Sequence, residues 1–158
     1  MHRFSPYLFD RLIDDAPPSK DGVHMTLSVA ELERSVVRDL EALLNTRRMV
    51  DGQALDAYPL ASRSVVGYGL EDFASLSVAG SNDRDRICRR LEAAIVAHEP
   101  RLERVQVTLD AKASSAQQLR FAIKAMLCVS PLRQPIDFDA VLDATTQQVD
   151  VKHARPAR

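Results

Sequence analysis

The stretch His98-Glu99-Pro100-Arg101-Leu102 divides this sequence into two patterns. Before it, apolar residues recur at helical spacing; after it, they alternate. Pro100 has no N–H to donate and pushes the residue before it out of helical φ/ψ. A helix is therefore expected to end near His98, with an extended segment beginning at Glu99. Glu99 then lies at the negative end of the helix dipole, where a carboxylate is disfavoured by roughly 0.3–1 kcal/mol. Arg101 follows two residues on, and in an extended chain residues i and i+2 project to the same side. A carboxylate and a guanidinium are thus held side by side on a short corner. The corner reads either as a helix stop with both charges solvated or as a charged clamp for a partner.

Upstream of the corner, Ile87, Leu91, Ala94, Ile95 and His98 share one face of a helix expected over 82–98, capped by Ser81 or Asn82. Cys88 borders that face as a small hydrophobe. His98, alone near a helix end, reads as a packing residue rather than a ligand. Further back, Ser28 with Glu31 three residues later forms a capping box. It opens a helix over 28–44 whose stripe is Val29, Leu32, Val36, Leu40 and Leu43. Glu33, Arg34, Arg38, Asp39 and Glu41 fill mostly its solvated side. Phe4, Leu8, Phe9, Leu12 and Ile13 predict a short helix over 4–13, with Ser5 as cap and Pro6 in the first turn. So short a helix depends on docking. Residues 14–27, beginning Asp14-Asp15-Ala16-Pro17-Pro18, read as a flexible connector.

Residues 46–81 are the least regular, with turn signals at Asp51-Gly52 and Tyr58-Pro59. Gly67 and Gly69 flank Tyr68. Lacking a Walker lysine and a third glycine, this is a poor phosphate loop. It reads instead as a turn where the backbone passes close to a neighbour.

Downstream, the period becomes two. Val105, Val107 and Leu109 alternate with polar residues. Leu102 is out of that register, so the regular strand is expected to begin one or two residues after it. Asp110 to Gln118 read as a loop. Leu119, Phe121, Ile123, Ala125 and Leu127 form one face of a second strand, and Ile136, Phe138, Ala140 and Leu142 one face of a third. Pro131 and Pro135 bracket the turn between these two. A last short strand over 147–151 follows a turn at 144–146. Short links imply an antiparallel meander with one face on the helices. The fold class is therefore α+β: a single domain over 1–158, helices packed on one face of a small, mainly antiparallel sheet, with a frayed tail at 152–158.

The totals narrow the function classes. With 21 basic and 22 acidic residues in 158, the formal net charge of -1 implies no broad attraction to nucleic acid or membrane. No apolar run approaches the roughly 18–20 residues of a membrane-spanning helix. Met1 to Pro6 lack a signal-peptide core, so a cytoplasmic address with Cys88 and Cys128 as free thiols is expected. His2, His24, His98 and His153 are scattered, so no metal site and no cofactor are indicated. The enzyme alternative is a peptidoglycan-cleaving glycosidase with Glu99 as acid and Glu71, Asp72 or Glu103 as its partner. Arg101 on the same side favours the charged form of Glu99, whereas a general acid must keep its proton. The sequence has no Trp and 5% aromatic residues, too few for a sugar-stacking cleft. No catalytic residue is assigned.

Five segments in order carry a family resemblance: Ser35 to Arg47, Ser64 to Phe73, Glu99-Pro100-Arg101-Leu102, Leu119-Arg120-Phe121, and Phe138 to Asp143. Together they resemble the TssE subunits of type VI secretion baseplates, which are similar to the small wedge protein of contractile phage tails. The likeness covers roughly residues 4–151. One departure is Gly67, where the pattern carries a larger polar residue such as Asn. The resemblance implies a non-enzymatic structural subunit that joins baseplate wedges and starts polymerisation of the contractile sheath. Implied partners are the wedge subunits TssF, TssG and TssK, the hub protein VgrG, and the sheath subunits TssB and TssC. The implied location is the cytoplasmic baseplate docked at the inner membrane. Glu99, Pro100 and Arg101 are then the expected partner-binding residues, and truncating Glu99 or Arg101 is expected to leave the domain folded while blocking assembly.

Overall fold

The computed structural model describes residues 3–12, 26–50, 54–55, 57–71, 81–111, 114–115, 117–143 and 145–154, the side chains of Ser81 and Asn82 excepted. Ile13, the Asp14–Gly22 part of the connector, the Asp51-Gly52 turn, the caps expected at Ser81 or Asn82, and tail residues 155–158 lie outside the described residues.

The helices are α1 (Leu8–Leu12), α2 (Val29–Asn45), α3 (Pro59–Ser62) and α4 (Ser81–His98), with a 3₁₀ turn at Val65–Gly67. The strands β1 (Leu102–Leu109), β2 (Gln118–Val129), β3 (Leu132–Asp143) and β4 (Val149–His153) form one antiparallel sheet in sequence order. Helix α2 packs over β4 and α4 over β1, with the core between helices and sheet. The α+β expectation holds, and the strand alternation selects the covered face: Leu119, Phe121, Ile123, Ala125 and Leu127 of β2 are all buried, as are Ile136, Phe138, Ala140 and Leu142 of β3.

Helix α2 begins as its sequence dictates. The Ser28 hydroxyl accepts from the Glu31 N–H, and the Glu31 carboxylate accepts from the Ser28 N–H at 2.8 Å. Leu32, Val36, Leu40 and Leu43 are buried, while Val29 is only partly so. Helix α4 turns Ile87, Leu91 and Ile95 inward.

Four boundaries differ from expectation, each for a local reason. The first helix starts at Leu8, not Phe4: Phe4 instead forms an antiparallel bridge with Leu27, each N–H donating to the other's carbonyl at 2.8 Å. Pro6 and Ser5 thus lie outside the helix, and Leu27 is structured rather than part of a loose connector. Leu8, Phe9 and Leu12, expected to dock, are 64%, 50% and 70% exposed. Strand β1 begins at Leu102, because a bulge between Glu103 and Gln106, with Arg104 at φ 53°, adds one residue and returns Leu102 and Val105 to the same face. Pro135 is not in a turn but inside β3, opposite Met126. The Asp137 carbonyl accepts from Ala154 on the β4 side; Pro135, two residues earlier, faces the same side beyond the end of β4, where a missing N–H costs no ladder bond. The last strand runs over Val149–His153, so Lys152 and His153 are strand, not tail; Gln147, at φ 55°, still belongs to the turn.

The Gly67-Tyr68-Gly69 segment behaves as the sequence suggested. A Cβ on Gly67 would lie 1.9 Å from the Ser62 carbonyl oxygen, and one on Gly69, whose φ is +104°, 2.6 Å from that of Thr46. The loop threads beside the end of α2, where the Leu70 N–H donates to the Thr46 carbonyl and the Arg48 N–H to the Leu70 carbonyl, both at 2.8 Å. Gly67 therefore admits no larger residue in this chain. We expect Gly67→Ala and Gly69→Ala each to lower stability by about 1–3 kcal/mol, read from urea unfolding midpoints. An unchanged midpoint for Gly67→Ala would mean that the loop is not pressed against Ser62.

Candidate functional site

The turn at Pro100 brings Glu99 and Arg101 together, as their i, i+2 spacing requires, but inside the protein. Glu99 is 5% and Arg101 1% exposed; Pro100 alone of the three is exposed. The Glu99 carboxylate grips the guanidinium with both oxygens: Arg101 Nε donates to Oε1 at 2.7 Å and Nη2 to Oε2 at 2.6 Å. This is the two-pronged geometry that gives arginine–carboxylate pairs their directionality. The Arg101 backbone N–H also donates to Oε1. The sequence-based picture of two solvated or surface-held charges is thus corrected: the pair is internal and already partnered.

Five residues that the sequence reading left out of this site complete it. Arg101 Nη1 donates to the Ser35 hydroxyl at 3.0 Å, and Nη2 donates to Asp39 Oδ2 at 2.6 Å. The Ser35 hydroxyl in turn donates to Asp10 Oδ1 at 2.6 Å. The guanidinium carbon lies 4.6 Å from the centre of the Tyr7 ring, a cation–π contact. Arg38 bridges the outer side, contacting Asp10 at 2.8 Å and Asp39 at 2.7 Å. Two guanidinium groups thus face three carboxylates drawn from α1, α2 and the α4–β1 corner. The available signal was Ser35: it follows Leu32 by three residues, which puts a hydroxyl on the buried stripe of α2, and Asp39 lies one turn further along.

The electrostatics follow from this arrangement. Burial disfavours the charge on Arg101, but the Glu99 carboxylate, and after it Asp39, outweigh this and hold the guanidinium protonated more firmly than usual. Burial likewise raises Asp10, yet the Ser35 hydroxyl, the Tyr7 N–H and Arg38 together bring its carboxyl below the ordinary aspartate range. The Tyr7 N–H donates to Asp10 Oδ2 at 2.9 Å, so Asp10 closes the first turn of α1 while tying it to α2. Helix α1 is therefore docked through its polar side. His98 is a packing residue, as its isolation suggested: Nε2 donates to the Gly67 carbonyl at 2.9 Å, and its ring meets Tyr68 edge-on at 5.3 Å. Burial lowers its pKa, with Arg48 adding to the effect against the Gly67 contact.

Chemically, the cluster holds elements together. Both oxygens of the Glu99 carboxylate are engaged by Arg101. Among the described residues no group of His, Cys, Asp and Glu is arranged to hold a metal ion. Glu71, one proposed partner acid, instead pairs with Arg48 and, at 3.1 Å, with Arg90. Glu103 pairs with Arg133 at 2.6 Å. Asp72 lies outside the described residues.

Two outcomes test this account. Arg101→Ala leaves Glu99 and Asp39 as uncompensated buried charges and is expected to cost about 3–5 kcal/mol. Arg101→Lys is expected to recover only part, since an ammonium cannot span Glu99, Ser35 and Asp39 together. Urea titration measures both; an unchanged midpoint for Arg101→Ala would restore the view of a dispensable surface pair. Asp10, with its lowered folded value, adds stability that is complete above the unfolded aspartate pKa of roughly 3.9 and is lost as pH falls through the lower folded value. The stability gap between the native chain and Asp10→Asn should therefore close on acidification below about pH 4, and a gap that stays constant would remove Asp10 from the network.

Comparison with known proteins places this architecture. A search of curated proteins finds no match. One chain of a solved structure, "The baseplate complex from the type VI secretion system", is similar at 17% sequence identity and a TM-score of 0.47, over 80% of this chain and 96% of that chain. The model of the family described as "Baseplate wedge protein gp25" matches residues 30–132, from the first turn of α2 through the buried Glu99–Arg101 corner to the start of β3. The chain belongs to the gp25 baseplate wedge protein family.

Proposed function

We propose that this chain is a structural subunit of a type VI secretion baseplate wedge, which joins the other baseplate proteins and starts polymerisation of the contractile sheath. The observation that carries the reading is the family match over residues 30–132; the resemblance of five segments to TssE subunits favours the secretion system over a phage tail. Its partners are the wedge subunits TssF, TssG and TssK, the hub VgrG, and the sheath subunits TssB and TssC. It works without enzymatic activity, at the cytoplasmic baseplate docked on the inner membrane. No helix among the described residues is long and apolar enough to cross a membrane itself.

Glu99, Pro100 and Arg101 serve the contacts in different ways. Glu99 and Arg101 hold the corner and the seat of α1 in one shape, and Pro100 is the member placed at the surface. Preorganisation of this kind favours docking, because little backbone freedom is lost on binding. The sheath contact is assigned to the edge of the sheet at β4, where an extended arm adds through main-chain hydrogen bonds. The glycosidase alternative finds no support in the geometry, since both oxygens of Glu99 are engaged by Arg101.

A tagged copy expressed in its native bacterium should recover wedge and sheath subunits, identified by mass spectrometry. Sheaths visualised with a fluorescent sheath subunit should disappear on deletion of the gene and return with the native chain but not with Arg101→Ala. Recovery of no baseplate protein, together with normal sheaths in the deletion strain, would overturn the reading. A peptidoglycan suspension should keep its turbidity in the presence of the pure protein; clearing that is lost with Glu99→Gln would reinstate the enzyme.

A further inference from the structure

We infer that the edge of β4 is closed by a displaceable side-chain cap, made by Asn45 and Glu41 of α2, which an incoming antiparallel strand replaces group for group. The inference rests on the assignment of β4 as the contact edge and adds how that edge is guarded and what chemistry opens it.

The register fixes which groups of β4 face outward. The Asp143 N–H donates to the Gln148 carbonyl, and the Ala154 N–H to the Asp137 carbonyl. Even-numbered residues of β4 thus bond to β3, and the main-chain groups of Val149, Val151 and His153 point the other way. At Val149 both groups are taken by a single side chain. Asn45 Nδ2 donates to the Val149 carbonyl at 2.7 Å, and the Val149 N–H donates to Asn45 Oδ1 at 2.8 Å. A carboxamide has the donor and acceptor of a peptide group, so Asn45 stands where a neighbouring strand would pair. One step along, the Val151 N–H donates to Glu41 Oε2 at 3.3 Å. Asn45 and Glu41 are four apart on α2, one helical turn, and so present themselves to successive outward positions of the strand.

The opposite edge is treated alike. In β1 the outward Val107 N–H donates to Glu92 Oε2 of α4 at 3.3 Å, and Cys88 of α4 meets the Leu109 N–H. That edge also carries the bulge at Arg104, which spoils pairing. Edge β4 has no such bulge in its ladder to β3. Its cap residue Asn45 is exposed at the last turn of α2. Beside it runs a groove of about 890 Å³ lined by Ala30, Val37 and Ala42 of α2 and by Val151, Lys152 and His153. Of the two edges, β4 is therefore the one built to open.

The strand that fits has a defined pattern. Centred on Val151, an antiparallel strand makes a hydrogen-bonded pair there. A basic residue one position to one side then stands across from Asp150, and an acidic residue on the other side stands across from Lys152. Both Asp150 and Lys152 are exposed. Cross-strand pairs of opposite charge favour this register and like charges oppose it. A peptide with the sequence of residues 147–153 meets these requirements, because it places its own Lys opposite Asp150 and its own Asp opposite Lys152.

Hydrogen exchange on the full chain tests the cap, and an NMR titration with that peptide tests its displacement. Asn45→Ala and Glu41→Ala should speed exchange of the Val149 and Val151 amides respectively, by about fivefold or more for the loss of one ordinary hydrogen bond, while Ile123 in β2 stays protected. The peptide should bind Asn45→Ala about fivefold tighter than the native chain. A peptide with Asp and Lys exchanged should bind less well, and Glu92→Ala should change nothing. Unchanged exchange in both α2 variants would refute the cap. Faster exchange with no gain in peptide binding would refute displacement, leaving a permanent seal. Neither readout involves a sheath or baseplate protein, so a failure of partner recovery would count against the proposed function and not against the capped edge.

Discussion

A guanidinium that is 1% exposed is the constraint on which this structure turns. Moving such a charge out of water costs several kcal/mol after relaxation, and only close counter-charges with satisfied hydrogen bonds offset it. Arg101 obtains them from three separate places: Glu99 two residues away, and Ser35 and Asp39 on α2. The Tyr7 ring covers the guanidinium face. The side chain is satisfied only when α1, α2 and the α4–β1 corner are all in position. Apolar contacts of the same size would tolerate sliding; this one does not. Among the described residues three carboxylates meet two guanidinium groups in this cluster, an excess of one acidic group. Asp10, Asp39 and Glu99 have side chains no more than 13% exposed, whereas Arg38 is 40% exposed at the rim, where water screens that excess.

The change of hydrophobic period at Pro100 made most of this fold legible. It separates the long helices from the meander, and the alternation along β2 and β3 names their buried residues because each side chain reports only one local choice, in or out. What was not legible depends on partners distant in sequence. Nothing near Phe4 announces a bridge to Leu27. The extra residue at Arg104 breaks the period that a strand is read from, so Leu102 looked misplaced although it is buried. For the site, the Glu99–Arg101 pairing follows from spacing alone, but its burial does not, since a charged pair beside a proline is equally compatible with water. Burial is decided by Ser35, Asp39, Asp10 and Tyr7, between 60 and 95 residues earlier in the chain by their numbering.

The polarity of α1 is a consequence of the same cluster. A short helix needs docking to persist, and the expected docking face was its apolar stripe. Instead Asp10, held below the ordinary aspartate range by Ser35, Tyr7 and Arg38, anchors the helix through charge. Leu8, Phe9 and Leu12 are left facing out. Ionic anchoring on the inside thus permits apolar exposure on the outside, the reverse of the usual division for an amphipathic surface helix.

The sheet edges show why helices and strands must be positioned together in a subunit of this kind. A four-stranded sheet leaves two rows of unpaired main-chain groups, which invite indiscriminate pairing. Here each long helix both covers the apolar face of the sheet and reaches past it to an edge: α4 through Glu92 to Val107, α2 through Asn45 and Glu41 to Val149 and Val151. Such reach requires each helix to stay within hydrogen-bonding distance of its edge strand. For α2 that placement is set at its middle by Ser35 and Asp39, held by Arg101, and at its end by Asn45. The buried guanidinium and the edge cap are therefore two contacts of one rigid helix, about ten residues apart and close to 15 Å along its axis at 1.5 Å per residue. A displacement of α2 that loosened one would be felt at the other.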